Sequence, residues 1–558
     1  MQNNFHDLTT RTYVQGDYSL FGHLFGTHDL KIGGGYSKTV NNVDLGYPGE
    51  GYVWIYWDRA FRGQRGTYGY YSITNFGTRG ATGAGIGNLY IQDRWRVHPR
   101  LTLSLGLRTE NEVIPSFRRD IKDTAFQFDF QQKMAPRLGA SWDVFGTGKL
   151  KVYGSWGRYY DWVKYELSRG TFGGDFYTIR YRALDTLDVF SLNGLSRVGR
   201  NLWTDAPDSV RDLRVPSFEA VDPNIKPMYS DVINVGVDYQ LTPHTVFSAR
   251  YVGNHLGRTI EDFASLDAEG NEIYVFGTPG EGVGKIASVT GATKPFPMPK
   301  AVRKYDAMEL IITRRFSSGW FGSASYVFSR LYGNYAGLGN SDEITTPTTG
   351  VSSGTSQSAF GSIARPGTPT SRAWDLDEIM WDSHGVPGIL GRLATDRPHV
   401  VKLYGGYTFK FGTEVAGFFY GGSGTPLSTY VNTSNLIPVF VNGRGDMGRT
   451  PFLTQTDLLV THEVKVGEGK RVRFELNALN VFNQKTARHR FNCLNRGCGA
   501  RRDSSAIDLH GVDLAKGYDY NALILQSNEG RFAYEPRYGL DDLFNPGFAG
   551  RFGVKFIF

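Results

Sequence analysis

The chain has 558 residues, a formal net charge of +7 and 14% aromatic residues, led by 37 Phe and 32 Tyr, together with 70 Gly. It contains no run of about 18 apolar residues, which excludes transmembrane helices. The positive charge is spread along the chain without a Lys/Arg block, so no nucleic-acid partner is indicated. Soluble cores usually stop growing at about 250–300 residues, whereas a large barrel has no such limit.

Several segments of about ten residues alternate between apolar and polar side chains. In one of them, leucines at 101, 103, 105 and 107 alternate with Thr, Ser, Gly and Arg. A period of two predicts a half-exposed strand, and the segments have the length of about 9–11 residues that a tilted membrane-spanning strand needs. Charged residues on the second face favour a wet interior over a dry core.

About fifteen strands are predicted in this way. They lie near 11–20, 28–38, 86–97, 101–110, 133–145, 149–159, 229–240, 245–253, 304–316, 320–331, 398–410, 413–422, 453–466, 470–482 and 549–558. A hairpin of 52–59 with 68–75 is an example of further strands hidden in the loops.

The connections between these strands fall into two classes that alternate along the chain. One class consists of very short Gly/Pro/Ser turns, such as 97–100, 145–148, 241–244 and 316–319. The other consists of long segments near 39–85, 111–132, 160–229, 254–303, 331–397, 423–452 and 483–548. Outer-membrane barrels have short periplasmic turns and long outer loops. A β-propeller would show similar connections within each blade, which makes it the weaker alternative.

The last ten residues form an alternating strand that ends on an aromatic residue. Phe552, Val554, Phe556 and Phe558 share one face, opposite Arg551, Gly553 and Lys555. Taken alone, the segment suits either a soluble sheet or a strand facing lipid. The alternation of turns and loops favours the second interpretation, with Phe558 at the periplasmic rim.

Strand parity predicts that the barrel extends beyond this chain. The first and last predicted strands both run toward the periplasm, whereas single-chain bacterial barrels have an even strand number. We therefore expect strands 11–20 and 549–558 to be parallel boundary strands, and the chain to start partway round a larger barrel. The N-terminus also has no signal peptide pattern, so either a leader was removed or the chain begins inside a longer protein.

The two cysteines, Cys493 and Cys498, suit a small disulfide-closed loop of an oxidising compartment, with free thiols as the alternative. A zinc site needs more ligands than the nearby His489. No metal-binding or cofactor-binding motif occurs, and no residues form a recognisable catalytic set, so no enzyme activity is expected. Gly83–Gly87 lacks the setting of a nucleotide loop and is interpreted as a loop entering a strand, and Arg444-Gly-Asp446 is too short to indicate adhesion.

Several stretches resemble one family of proteins. They are 135–143, 146–149 and 153–161 as one block, Asp396-Arg-Pro-His399 before a strand, Asn477-Ala-Leu-Asn-Val-Phe-Asn483 before the last long loop, and the terminal Phe558. With this order and spacing, the chain resembles the barrel of TonB-dependent outer-membrane receptors, most closely the Oar-like group. The resemblance implies a 22-stranded barrel of which residues 1–558 form the C-terminal portion, without the plug and TonB box.

The resemblance also implies partners and a location. These are the outer membrane and its lipid, the barrel assembly machinery acting on the C-terminal strand, an unknown substrate, and the TonB system through the missing N-terminal part. Substrate contacts are expected in the long loops, where we single out Trp203, Tyr335, Trp374, Trp381 and Arg496 as exposed candidates. For each one, packing against neighbouring loops is the competing explanation.

Two functions are compatible with the sequence. The first is a TonB-dependent receptor that takes up or exports a substrate. The second is an ungated outer-membrane pore or a structural surface protein. An upstream plug would favour the first, and a signal peptide just before Met1 would favour the second.

Overall fold

A computed structural model describes residues 4–47, 51–163, 175–192, 199–202, 210–212, 221–266, 272–287, 296–335, 381–393, 395–432, 438–496, 506–527 and 529–558. The described strands, in chain order, are β1 (Asn4–His23), β2 (Thr27–Gly46), β3 (Tyr52–Trp57), β4 (Gly69–His98), β5 (Leu101–Pro115), β6 (Thr124–Phe128), β7 (Ala135–Asp143), β8 (Leu150–Tyr160), β9 (Asp175–Leu184), β10 (Val210–Asp212), β11 (Tyr229–Thr242), β12 (Thr245–Arg258), β13 (Glu261–Leu266), β14 (Glu272–Gly277), β15 (Ile286–Ala287), β16 (Phe296–Pro297), β17 (Arg303–Ser317), β18 (Trp320–Gly333), β19 (Gly391–Arg392), β20 (His399–Thr408), β21 (Thr413–Gly422), β22 (Tyr430–Asn432), β23 (Pro438–Phe440), β24 (Leu453–Gly467), β25 (Lys470–Leu479), β26 (Ala487–Arg490), β27 (Asp541–Phe544) and β28 (Ala549–Ile557).

Helices are short and lie between the long strands. The α-helix α1 spans Tyr520–Gln526, and 3₁₀ turns cover Phe130–Lys133, Val189–Leu192, Gly282–Lys285, Leu514–Lys516 and Gly530–Ala533. None of the described helices is long and apolar enough to cross a membrane.

Fifteen of the described strands pair in chain order into one antiparallel sheet, which we call the wall. Its members are β1, β2, β4, β5, β7, β8, β11, β12, β17, β18, β20, β21, β24, β25 and β28. Each of the fifteen strands predicted from the alternating pattern overlaps one member of the wall, and β1, β2 and β4 are longer than predicted. The predicted pairing of 52–59 with 68–75 is also confirmed, since Tyr52 pairs with Thr74 and Trp57 with Gly69.

The register of the wall places apolar side chains on one face and polar side chains on the other. Leu105 lies opposite Leu138, Leu138 opposite Trp156, and Trp156 opposite Ile233. One position along each strand, Ser104, Gly139, Ser155 and Asn234 form the equivalent row on the other face. Because side chains alternate across a strand, the first row marks the lipid-facing side and the second the interior.

Short turns join the wall strands at one end, which we call the turn end. Between β7 and β8, the Asp143 carboxylate accepts hydrogen bonds from the backbone N–H of Gly146 (2.9 Å) and of Gly148 (2.8 Å). Both glycines have positive φ angles, 70° and 73°, which residues with a side chain rarely adopt. The sequence Asp-Val-Phe-Gly-Thr-Gly therefore forms a tight turn with its own side-chain acceptor.

The wall extends further at its other end, the loop end, than the sequence predicts. Strand β4 begins at Gly69 and pairs with β2 from Gly77 opposite Gly46 onward. The interpretation of Gly83–Gly87 as a loop entering a strand is therefore wrong, since these residues lie within β4. The Gly/Ala/Thr-rich stretch lacks the apolar alternation on which the strand prediction depended.

The first and last strands of the wall, β1 and β28, are its two boundary strands. Among the described residues, β1 pairs with β2 and β28 pairs with β25, and β1 and β28 are not paired with each other. Consecutive wall strands alternate in direction, so the first and the fifteenth run the same way. This arrangement agrees with the predicted parallel boundary strands.

Candidate functional site

The long connections at the loop end pack together into one folded body, which we call the loop cap. It comprises the described parts of 259–302, 334–398, 423–452 and 480–548. Its largest buried apolar cluster draws residues from all four connections, namely Val275, Ala287, Phe296, Met298, Ala301, Tyr335, Trp381, Val431, Val441, Ile507, Leu509, Leu514, Ile524 and Ala533. Segments far apart in the sequence thus share one core, which gives the loop cap a defined surface.

Tyr335 lies inside this core instead of on its surface. Its side chain is 3% exposed, and its hydroxyl donates to Glu261 Oε1 at 2.5 Å while accepting from the Thr259 hydroxyl at 3.0 Å. Burial, and next the neighbouring Glu261 carboxylate, raise the pKa of Tyr335 well above its ordinary value. Tyr335 therefore joins the connection after β18 to the connection after β12.

Trp381 is also a core residue. Its ring meets Phe296 edge-on, with 5.7 Å between the ring centroids, and it is buried. The expectation from the sequence that Tyr335 and Trp381 are exposed is corrected, because large aromatic residues in these loops are needed to build the shared core. Arg496 is exposed as expected, with its backbone N–H bonded to Ala533 O at 2.7 Å. Trp203 and Trp374 lie outside the described residues.

Replacing Tyr335 with phenylalanine tests its structural role. The variant removes a hydrogen-bond donor from the buried Glu261, which we expect to destabilise the loop cap locally by about 1–3 kcal/mol. In the wild type the neutral phenol is favoured, so its stabilisation is complete below the unfolded-state pKa of about 10 and decreases as the pH rises above that value. Limited proteolysis between pH 8 and 11 should therefore show alkaline opening that is weaker in Tyr335→Phe.

The control for this prediction is Tyr534→Phe, which removes an exposed hydroxyl hydrogen bond to Asn521 (3.0 Å) in the same cap. We expect it to leave the proteolysis profile close to that of the wild type. Equal opening of both variants would show that the Tyr335 hydroxyl has no special structural role.

Asp396 anchors the loop cap to the wall. Its carboxylate is fully buried and lies 2.5 Å from the Arg449 guanidinium and 3.4 Å from that of Arg392. Its Oδ1 also accepts the backbone N–H of Leu331 at 2.6 Å, which belongs to β18. In the sequence, Asp396–His399 serves only as a mark of family resemblance. In the sequence, the only sign that Asp396 has a structural role is its place immediately before Arg-Pro.

The Arg444-Gly445-Asp446 tripeptide is bound within the loop cap. Arg444 donates to the backbone oxygens of Ile389 (3.0 Å) and Asn334 (3.1 Å). The Asp446 carboxylate accepts from the backbone N–H of Thr429 at 2.7 Å. Because both charged side chains bond to other segments of the loop cap, the tripeptide helps to hold the cap together.

A second buried charged cluster faces the interior of the wall. Lys133 lies 2.8 Å from Glu112 and 3.7 Å from Glu110, and all three side chains are buried. Trp162 Nε1 donates to Glu110 at 2.9 Å, and the backbone N–H of Val163 donates to Glu112 at 3.0 Å. These contacts hold the connections after β5 and β8 against the wall, a role that the sequence did not indicate.

The C-terminal strand presents its predicted apolar face outward. Phe552, Val554, Phe556 and Phe558 are all exposed. Phe552 lies opposite Leu476 and Val554 opposite Phe474 of β25, so the four residues continue the lipid-facing side of the wall. Their recognition by the assembly machinery stays a prediction.

The proposed disulfide lies at the limit of the described chain. Cys493 is buried, with Sγ 3.2 Å from the Asn495 carbonyl oxygen, and Cys498 lies outside the described residues. The Cys493–Cys498 pairing therefore stays a prediction. No group of three or more His, Cys, Asp or Glu side chains suited to a metal ion occurs in the described part of the chain.

Comparisons with known proteins agree with this architecture. The model of the outer membrane beta barrel domain family matches residues 20–362, which is more than half of the chain. The TonB-dependent transporter Oar of Myxococcus xanthus is 29% identical over 421 residues, covering 71% of this chain and 35% of that protein. The chain thus spans about a third of the length of this relative.

Solved structures of outer-membrane receptors are also similar. The siderophore receptor PiuA of Acinetobacter baumannii is 12% identical, with a TM-score of 0.43 over 86% of this chain and 53% of that one. A ferric enterobactin receptor of Pseudomonas aeruginosa is 10% identical, with a TM-score of 0.46 over 99% of this chain and 54% of that one.

The Myxococcus xanthus relative is named as a transporter. The sequence resemblance to Oar-like TonB-dependent receptors is confirmed by the match to Oar itself. With its alternating wall, its short turns and long loops, and a family match over more than half its length, the protein belongs to the outer-membrane β-barrel domain family.

Proposed function

We propose that this chain is the barrel portion of a TonB-dependent receptor that moves a substrate between the medium and the periplasm. The observation that supports this best is the loop cap, in which four long connections share one buried core at a single end of the wall. A folded surface of this kind suits selective binding of a substrate. An ungated pore has no need of one, which makes the pore or structural surface protein the second candidate.

We further propose that residues 1–558 form the C-terminal part of a larger barrel. Direct pairing of β1 with β28 would be parallel, because both strands run in the same direction. The same holds for pairing between two copies inserted in the same orientation. An antiparallel closure therefore needs an odd number of added strands, and the 22 strands of outer-membrane transporters would supply about seven.

In this proposal the TonB system acts through a plug and TonB box outside residues 1–558. The substrate would contact the exposed surface of the loop cap, with Arg496 as the described candidate. Trp203 and Trp374 stay candidates from the sequence. Whether the substrate is taken up or exported is determined by the measurement of its distribution between medium and cell.

The test compares the small molecules in the medium of cells with and without the gene, each with an intact or a disrupted TonB system. We expect a compound whose distribution between medium and cell changes when the gene is lost. Loss of TonB, or collapse of the proton gradient, should reproduce that change. The sign of the change gives the direction of transport.

Two results would contradict the proposal. A change in entry of a small hydrophilic dye that is independent of TonB would indicate an ungated pore. An unchanged distribution of every detected compound would indicate a structural surface protein.

We also propose that the C-terminal aromatic face is read during barrel assembly. The variant Phe558→Ala should lower the amount of folded protein in the outer membrane, as measured by its heat-dependent mobility on gels. The control Phe548→Ala changes another exposed aromatic residue, just before β28 at its opposite end. An equal loss in both variants would show that the terminal position has no special role.

A further inference from the structure

A pair of cations lies on the lipid-facing side of the wall at the loop end of β17 and β18. Lys304 lies opposite Tyr332, and Asp306 lies opposite Arg330. These residues share a face with Met308 and Ile312, which belong to the apolar row of β17. We call Lys304, Arg330 and Tyr332 the outer patch.

The position along the strand places the outer patch at the membrane surface. At the turn end of the same two strands, the Arg314 guanidinium lies 4.1 Å from the centre of the Trp320 ring, as in an interfacial girdle. Lys304 is ten residues from Arg314 on β17. With a rise of about 3.3 Å per residue and a tilt of about 40°, this spans roughly 25 Å, the height of the apolar band.

Neither cation of the outer patch forms a close ion pair with a described residue, although Arg330 also interacts electrostatically with Asp306, which lies opposite it. The neighbouring carboxylate, Asp306, is paired with His255 at 2.8 Å. Lys304 and Arg330 are both exposed. Arg330 instead lies over the Tyr332 ring, 4.3 Å from its centre, which fixes the direction of its guanidinium.

The spacing of the two cations suits one phosphate group. Residues directly opposite on antiparallel strands are about 5 Å apart, and diagonal neighbours about 7–8 Å. Lys304 and Arg330 are diagonal neighbours, so an anion between them can reach both side chains. Arg supplies a planar pair of donors and Lys a point charge, a combination that favours phosphate.

An apolar surface lies directly below the cations. Met308, Leu310 and Ile312 of β17 and Ala324 and Phe328 of β18 follow the outer patch toward the turn end on the same face. Phe328 and Met308 are exposed and lie opposite one another. A molecule with a phosphorylated head and long acyl chains fits both parts of this surface.

We propose that the outer patch binds the phosphorylated headgroup of a lipid in the outer leaflet, with the acyl chains along the strip below it. The inference uses only the location of the protein in the outer membrane and does not depend on what the barrel transports. Lys304 and Arg330 hold the phosphate, and Tyr332 orients Arg330. A surface Lys or Arg strengthens the binding of an anionic lipid about fivefold.

The experiment uses the protein purified from outer membranes and measures lipid binding by native mass spectrometry. The probe is lipid A carrying two phosphates, and the comparison lipid is the same molecule with its phosphates removed. We expect Lys304→Gln/Arg330→Gln to weaken binding of the phosphorylated lipid about thirtyfold. Dephosphorylated lipid should bind the wild type as weakly as the phosphorylated lipid binds the variant.

The control variant is Arg137→Gln/Lys402→Gln, which removes one Arg and one Lys from the interior face of β7 and β20. It should bind the phosphorylated lipid like the wild type. Equal weakening in both variants would overturn the proposal, as would equal binding of the two lipids by the wild type, which can be measured even if a variant does not assemble. Displacement of the lipid by millimolar inorganic phosphate would also overturn it, since the site would then be a phosphate ion site.

Discussion

An arginine at Val235 should strongly destabilise the protein, whereas an arginine at the next residue toward the N-terminus should not. Val235 lies on the lipid-facing side of β11, midway between Tyr239 and Asp231 on the same face, and it is exposed. A charged residue at this depth costs about 2–4 kcal/mol in an outer-membrane barrel. Asn234 faces the interior, opposite Ser155, so Asn234→Arg should cost less than about 1 kcal/mol.

The measurement is urea-induced unfolding of the two variants from phosphatidylcholine vesicles, followed by the gel mobility of the folded form. The matched pair controls for the added charge and for the position along the strand. Equal destabilisation by both substitutions would contradict the assignment of faces. Greater destabilisation by Asn234→Arg would reverse it.

Removal of the Asp396 carboxylate should open the loop cap. Asp396→Ala leaves the Arg449 and Arg392 guanidinium groups without their buried partner and the Leu331 N–H without its acceptor. Breaking a buried ion pair from one side costs about 3–5 kcal/mol. We expect faster hydrogen exchange at Leu331 and faster proteolysis within 381–398 and 423–452, while the gel mobility of the wall stays that of a folded barrel.

The control for this prediction is Asp541→Ala in the same cap. Asp541 pairs with Arg490 at 2.6 Å, but both side chains are about one third exposed, and exposed pairs contribute at most about 1 kcal/mol. It should change proteolysis little. If the two variants behave alike, Asp396 is not the anchor that its burial indicates.

The wall could be predicted from the sequence because its physical basis is local. The alternation of Leu101, Leu103, Leu105 and Leu107 with small and polar residues reports directly which face meets lipid. The turn glycines report the ends of the strands for the same reason. The part of β4 nearest the loop end lies beyond the lipid-facing band, so its residues lack this alternation. The predicted strand is therefore too short there.

The loop cap could not be predicted in this way. Its core joins Val275, Tyr335, Val431 and Ile507 from four separate connections, and no periodicity in one segment reveals partners in another. A large aromatic residue in a long loop is compatible with ligand binding and with packing, and the sequence does not distinguish them. The partners of Tyr335 and Trp381 become visible only once the connections lie side by side at one end of the wall.

The outer patch could not be predicted from the sequence either. Lys304 and Arg330 are 26 residues apart in the numbering and become neighbours through the register of β17 with β18. The sequence shows two ordinary basic residues near strand ends. The register places them on one face of the wall and at a common depth. Neither forms a close ion pair with a described residue.

The most direct test of the membrane-spanning wall is the accessibility of a nitroxide label placed in turn at 232–238 on β11, in protein whose Cys493 and Cys498 are replaced by serine. In vesicles, labels at Ile233, Val235 and Val237 should be accessible to dissolved oxygen and protected from a water-soluble nickel complex. Labels at Asn234 and Asp238 should show the opposite. A period of two in these accessibilities is the result that a membrane-spanning wall predicts, and uniform access of the nickel complex to all positions would contradict it.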